Sequence, residues 1–287
     1  MTPLRLDKYL RDATTLSRSQ IKQAWASGQI VVELQDGTRP QRVELSDLIF
    51  EGDRVLLKGE SVVRQSPSNY YVLNKPVGVL STAMPEQDWV TLSKWLETLD
   101  PGVFPVGRLD AQTSGVMLLI DDGDLAHVLM DPNAPISYTF HARVAQVLEE
   151  DDPRLESLSR GVELKPGHEV RANQIDIVSK DETSTILALH VSEGRSKQLR
   201  SMFNVVGLRL ESLARVGVGG VDLGDLPEGQ MREINEEERE KLWSLVGGQH
   251  AVEQRRMQAL ARLCDRLAEQ GRPHERLTQW LAEQPKE

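Results

Sequence analysis

Few arrangements in this chain suit chemistry without a metal, and the clearest is a carboxylate on a loop beside an apolar strand. The segment Gly107-Arg108-Leu109-Asp110-Ala111-Gln112-Thr113-Ser114-Gly115 feeds directly into Val116-Met117-Leu118-Leu119-Ile120. A scaffold strand fixes such a loop while the loop itself stays accessible. Asp110 is therefore a candidate for acid, base or nucleophilic work. The same residue types also suit a turn aspartate that bonds nearby amides or the Thr113 hydroxyl. An aspartic-protease arrangement fits poorly, because the Asp, Thr, Ser and Gly are not contiguous and no second copy supplies a paired carboxylate.

A second candidate is Ser192-Glu193-Gly194-Arg195-Ser196-Lys197-Gln198-Leu199-Arg200-Ser201-Met202-Phe203. A helix starting at Ser196 places Lys197 and Arg200 on one face, where they can meet phosphate or a carboxylate. Met202 and Phe203 then pack inward. An ordinary solvated basic helix has the same spacing. Among the aromatics are Tyr70, Tyr71, Tyr138 and Phe140. Tyr138 and Phe140 share one face of a strand, which suits core packing first and a base-stacking platform second. The six histidines form no HxxxH or HExxH pattern, and no phosphate-cradling GxxxxGK occurs. The single cysteine, Cys264, excludes an intrachain disulfide and a cysteine-built metal site.

These residues need a scaffold, and the chain is long enough to provide one. Its 287 residues suggest two domains, and 39% hydrophobic with 27% charged residues is a globular composition. No apolar run approaches the ~18–20 residues of a membrane span, and residues 1–10 lack a hydrophobic signal core. A cytoplasmic protein without a membrane partner is expected. The net charge of −10 argues against a uniformly basic surface, so a nucleic-acid partner would need local positive patches. Two exist. Residues 1–30 carry Arg5, Lys8, Arg11, Arg18 and Lys22 against Asp7 and Asp12; residues 193–215 carry Arg195, Lys197, Arg200, Arg209 and Arg215 against Glu193 and Glu211.

A small N-terminal unit is expected to end near residue 65. Leu4, Leu6, Tyr9 and Leu10 have helical spacing, Ser17 or Ser19 can cap a second helix through Trp25, and Gly28 suits its C-terminal stop. Residues 30–34 and 53–58 read as strands, and 65–69 as a linker. In a larger unit, residues 70–74, 116–120, 138–145 and 185–191 have strand character, and 91–99 and 197–206 read as helices. The mixture is α+β with little βαβ regularity. Residues 229–245 read as a short strand and a charged helix. Gly247-Gly248 breaks the chain before a helical pattern over 249–284, where Met257, Leu260, Leu263 and Leu267 have near-heptad spacing. Arg255, Arg256, Arg262 and Arg266 lie among them, so this tail can contact RNA, a partner helix or its own domain.

Taken together, residues 3–245 resemble the pseudouridine synthases of the bacterial ribosomal small-subunit type. The resemblance rests on Asn74-Lys75-Pro76-Val77-Gly78-Val79, Pro105-Val106-Gly107-Arg108-Leu109-Asp110 with Thr113-Ser114-Gly115, and Leu118 to Leu125. It continues through Glu193-Gly194-Arg195 with Lys197-Gln198-Leu199-Arg200 and Met202-Phe203. It ends at Leu223-Gly224-Asp225-Leu226-Pro227 with Gly229 and Arg232-Glu233. Five such segments in order are a far stronger signal than one. The N-terminal unit resembles the small RNA-binding module first seen in small-subunit ribosomal protein four, through Arg5-Leu6-Asp7-Lys8-Tyr9-Leu10, Leu16-Ser17-Arg18-Ser19 and Gly28-Gln29-Ile30-Val31-Val32.

The resemblance implies an RNA-binding module over residues 1–65 and a catalytic domain with a mixed, mainly antiparallel sheet and flanking helices over 66–246; the helical pattern that follows makes 247–287 a helical C-terminal extension. It implies isomerisation of a uridine in ribosomal RNA without cofactor or metal; the substrate is free RNA or an assembling subunit, and a monomer is expected. Asp110 matches the family's catalytic aspartate, which attacks the anomeric carbon or takes a proton from the neighbouring ribose carbon. Arg200 matches its basic partner, and Tyr138 the tyrosine that stacks on the extruded uracil. RNA contacts are implied at Arg5, Lys8, Arg18, Lys22, Lys75, Arg108, Arg195 and Lys197. Some positions depart from the pattern. Ile136 stands where a lysine is usual, Ser17-Arg18-Ser19 replaces Ser-Arg-Arg, and Lys-Gln-Leu-Arg-Ser-Met replaces Arg-Gln-Val-Arg-Arg-Met. Lys197 keeps charge without the bidentate fork, and Ser201 loses a charge. The rival reading is a non-catalytic RNA-binding or ribosome-assembly protein on a degenerate synthase scaffold.

Overall fold

The computed structural model describes residues 2–14, 16–64, 69–100, 102–131, 133–270 and 274–284. Most of the expected linker at 65–69 lies outside the described residues.

The apolar run Thr113–Ile120 forms a strand that is enclosed from Gly115 onward, as a continuous rather than alternating apolar pattern demands. It lies within a nine-stranded sheet. The main path runs Gln174–Lys180, Thr185–Val191, Tyr138–Val144, Leu210–Val218, Thr113–Ile120, Tyr70–Lys75 and Met231–Glu233. Phe104–Val106 and Val221–Asp222 pair onto Thr113–Ile120 and Leu210–Val218. Within this sheet the one parallel pairing joins Leu210–Val218 to Thr113–Ile120, with Leu213 opposite Thr113 and Arg215 opposite Gly115. The two backbones approach so closely that a Cβ on Gly115, at φ +107°, would lie 2.0 Å from the Arg215 carbonyl oxygen. Only glycine fits there.

Period-two alternation splits the sheet's residues between two cores. Leu73, Met117, Leu119 and Phe140 face one core, closed by Leu199, Met202 and Phe203 of helix Ser196–Val205. Val72, Val116, Leu118 and Ile120 face the other, covered by helices Gly123–Leu129 and Glu236–Leu245. Phe140 is fully enclosed, so the expected face shared with Tyr138 is a packing face at Phe140.

A third cluster lies in the N-terminal residues, where Leu6, Leu10, Ile21, Ala24, Ile30, Val32 and Val55 pack together. Its second helix, Arg18–Ala26, starts at a Ser17 capping box, which satisfies two otherwise orphaned amides. Gly28 follows it at φ +69°. The expected helix over 91–99 shortens to Ser93–Leu96. Thr91 bridges to Leu80 and the Leu92 amide bonds the Thr82 carbonyl, so the backbone entering that helix is already spent on holding the preceding loop.

The C-terminal residues form helices Gly248–Glu269 and Glu275–Ala282, which fold back onto the N-terminal unit. Leu48 and Phe50 pack with Leu260 and Leu277. Arg276 lies 4.3 Å over the Phe50 ring and donates to both carboxylate oxygens of Asp53, at 2.8 and 2.9 Å. Arg256 donates to the Thr2 and Pro3 carbonyls and lies 3.7 Å from Asp124. Arg256 is therefore an internal tether, whereas Arg255, Arg262 and Arg266 stay exposed. Of the near-heptad set only Leu260 is buried, because the helix meets the body along a narrow strip.

Candidate active site

Asp110 lies on the turn between strands Phe104–Val106 and Thr113–Ile120. The turn is held from two sides. Ser81 Oγ donates to the Leu109 carbonyl at 2.7 Å and accepts from the Leu109 amide at 3.0 Å. The Gly78 amide donates to the Ala111 carbonyl at 2.6 Å. A scaffold-fixed loop of this kind holds a reacting group within the narrow tolerance that catalysis needs.

The Asp110 carboxylate is 10% exposed. Its Oδ2 accepts from the Ser196 hydroxyl at 2.6 Å, and the Asp110 amide donates to the same Ser196 Oγ at 3.3 Å. Arg200, one turn further along that helix, brings Nε to 3.7 Å from Oδ2. Its Nη2 is bonded to the Gln112 carbonyl at 2.6 Å and the Thr113 hydroxyl at 3.1 Å. Asp110 Oδ1 and Arg200 Nε are both buried without a hydrogen-bond partner. The parallel strand register makes this meeting possible, since it places the turn at 107–112 beside the start of helix Ser196–Val205.

A cleft of about 1140 Å³ opens at this point, with Asp110, Tyr138, Arg200 and Arg215 in its wall. Tyr138 begins its strand, opposite Val191 and Val218. Its ring passes so close to Gly194 that a Cβ there would sit 2.8 Å from Cε1, which gives Gly194 a steric role. Burial raises the Tyr138 phenol above its ordinary pKa, so it is neutral near pH 7. The fully buried Arg215 guanidinium lies 5.7 Å from that ring and donates through Nε and Nη2 to the Val116 carbonyl. Burial lowers its pKa to about 10, which leaves it charged near neutrality.

The three residues expected to do chemistry thus share one cleft. Arg108, Arg195 and Lys197 line it as exposed cations, with Arg195 3.7 Å from Glu193. Arg5, Lys8, Arg18 and Lys22 sit elsewhere, around a second cavity of about 450 Å³ that Arg11 also lines. Lys8 there is ion-paired with Asp124. Lys75 corrects an expectation. It is not on an RNA-facing surface but completely enclosed, and its Nζ donates to the Pro76 and Val79 carbonyls at 2.8 and 2.9 Å. Burial lowers its pKa to about 8, opposed by the Asp110 charge. It shapes the loop that braces the Asp110 turn. Sequence reasoning passed over Ser81 and Ser196. A serine at the first position of a helix was the one available signal, and it reads equally as a local cap.

Residues 69–205 match the family model described as RNA pseudouridylate synthase. The chain is 30% identical over 244 residues to ribosomal large subunit pseudouridine synthase B of Bacillus subtilis (strain 168), covering 84% of this chain and 96% of that one. It is 28% identical to ribosomal small subunit pseudouridine synthase A of Vibrio cholerae, over 84% of this chain and all of that one. A solved structure described as a pseudouridylate synthase superposes with a TM-score of 0.55 at 26% identity, over 83% of this chain and 99% of that chain.

Proposed function

The chain belongs to the RNA pseudouridine synthase family, and from that premise we propose that it converts one specific uridine of ribosomal RNA to pseudouridine with Asp110 as the catalytic carboxylate. The reaction breaks the N1–C1′ glycosidic bond, turns the uracil, joins C5 to C1′ and returns the C5 proton to solvent as N1 regains one. No atoms are gained or lost. Asp110 acts on the sugar, by attack at C1′ or by taking a proton from C2′, and is regenerated by either route. Arg200 supplies the facing positive charge, and Tyr138 packs against a base that must leave its stack to react.

The observation that carries this reading is the enclosed carboxylate at the wall of a cleft of about 1140 Å³, beside Arg200 and Tyr138. Support for a ribosomal substrate comes from the names of relatives that act on the large and the small subunit. Residues 1–65 serve in this reading as the RNA-binding module, 66–246 as the catalytic unit and 247–287 as an extension that ties the two together. Arg5, Arg18 and Lys22 contact RNA on the module, and Arg108, Arg195 and Lys197 on the cleft rim. The protein acts as a monomer on ribosomal RNA, free or in an assembling subunit.

The test is a pseudouridine map of ribosomal RNA from cells lacking the gene, complemented with wild type or Asp110→Asn. One site should vanish and return only with wild type. Restoration by Asp110→Asn would remove Asp110 from the mechanism, and an unchanged map of all cellular RNA would favour a non-catalytic RNA-binding protein.

A further inference from the structure

The geometry points to Ser196 as a positioning residue that pins the Asp110 carboxylate through Oδ2. This rests on the reading of Asp110 given above. Ser196 is 4% exposed and is the first residue of helix Ser196–Val205. A serine at the start of a helix ordinarily caps it. Here the N-cap is Arg195, with no side-chain cap bond, and the Ser196 hydroxyl is spent on a residue 86 positions away.

The two hydrogen bonds between these residues make a closed pair. The Asp110 amide donates to Ser196 Oγ, so the hydroxyl proton is free to point at Oδ2, where the 2.6 Å separation places it. A carboxylate turns about two side-chain torsions, and a short bond from a hydroxyl carried on the first turn of a helix restricts that freedom. The bond to a charged acceptor is also stronger than a neutral one.

The consequence is an asymmetric carboxylate. Oδ2 faces Ser196 and, at 3.7 Å, Arg200 Nε. Oδ1 is enclosed and has no hydrogen-bond partner, so among the described residues the Ser196 hydroxyl is the one hydrogen-bond donor that orients the carboxylate. Arg200 cannot do the pinning in this arrangement, because its hydrogen bonds go to Gln112 and Thr113 and its Nε makes none. The two arms of the site are therefore separate: Arg200 holds the backbone of the turn, and Ser196 holds the carboxylate.

The experiment compares wild type, Ser196→Ala and Ser196→Thr on the ribosomal RNA transcript that carries the mapped site with C5-tritiated uridine. Tritium release gives kcat and KM, and thermal unfolding reports the fold. Loss of orientation should lower kcat about 10–100-fold in Ser196→Ala with KM changed less than about twofold. Ser196→Thr, which keeps the hydroxyl, should recover most of kcat. Wild-type kcat in Ser196→Ala overturns the inference. So does a kcat loss matched by a rise in KM or a fall in melting temperature, or a threonine variant no better than alanine, since each marks a packing role. If wild type releases no tritium from that RNA, either free or assembled into subunit particles, the functional reading fails and this inference falls with it; if wild type is active on either, only the behaviour of the Ser196 variants on that substrate decides.

Discussion

Arg200 reaches Asp110 and the residues just after it at the same time: its Nε stands 3.7 Å from Asp110 Oδ2 while its Nη2 bonds the Gln112 carbonyl and the Thr113 hydroxyl. A single guanidinium thus couples the charge of the turn to its backbone shape, a use that the planar fork of arginine permits and a lysine ammonium does not. Arg200→Ala should lower kcat by about 10²-fold or more, as removal of a preorganised charge does. Arg200→Lys should recover only part of that. RNA affinity, read by filter binding, should stay close to wild type. A Lys variant with full kcat would show that charge alone suffices.

Lys75 provides a pH-dependent prediction. Its pKa in the folded protein is about 8, below that of an exposed lysine near 10.5. Between those values the unfolded chain holds a proton that the folded chain has released, so this group makes stability rise with pH across pH 8–10.5. Below pH 8 both states are protonated and the cost of burying the charge is constant. Lys75→Met removes the dependence. The advantage of wild type over the variant in urea unfolding should therefore grow by about 2 kcal/mol between pH 7.5 and 10. A pH-independent difference would mean that Lys75 titrates as it does when unfolded.

The cleft-rim cations should behave as phosphate contacts. Arg108→Ala and Lys197→Ala each remove one exposed charge beside the cleft. Each should weaken RNA binding and reduce the slope of log affinity against log salt by about 0.7–1. Lys75→Met should leave that slope unchanged, because no RNA phosphate reaches an enclosed ammonium. An unchanged slope in both rim variants would place the RNA path elsewhere.

The C-terminal helices should contribute measurably to stability. Asp53 has a fully buried side chain that accepts two bonds from Arg276 and also bonds the Gln35 and Phe50 amides. Arg276→Ala leaves that carboxylate short of its counter-charge and uncovers Phe50. A loss of about 1–3 kcal/mol in chemical unfolding is expected. Unchanged unfolding would show that the tail docks without stabilising the N-terminal unit.

Much of the scaffold was readable from local pattern. The strands at 70–75, 113–120, 138–144 and 185–191 and the helix at 196–205 lie within a few residues of their expected positions. Apolar period and capping chemistry act over one or two turns, and Ser17 caps its helix as its type suggests. The helix at 93–96 fell short because Thr91 and Leu92 were claimed by Leu80 and Thr82, a partnership that residue spacing does not record.

The α+β class, the loop that carries Asp110 and the basic helix that carries Arg200 follow from residue types and their short-range periods. The folded chain alone decided who meets whom. It enclosed Lys75 although lysine usually marks a surface, turned Ser196 from a cap into a partner of Asp110, and put Arg276 on Asp53, 223 residues away. The physical reason is register. Whether the turn at 107–112 lands beside Ser196 depends on how Leu213 aligns with Thr113 across a parallel strand pair, and that alignment is set by packing on both faces of the sheet rather than by any run of neighbouring residues.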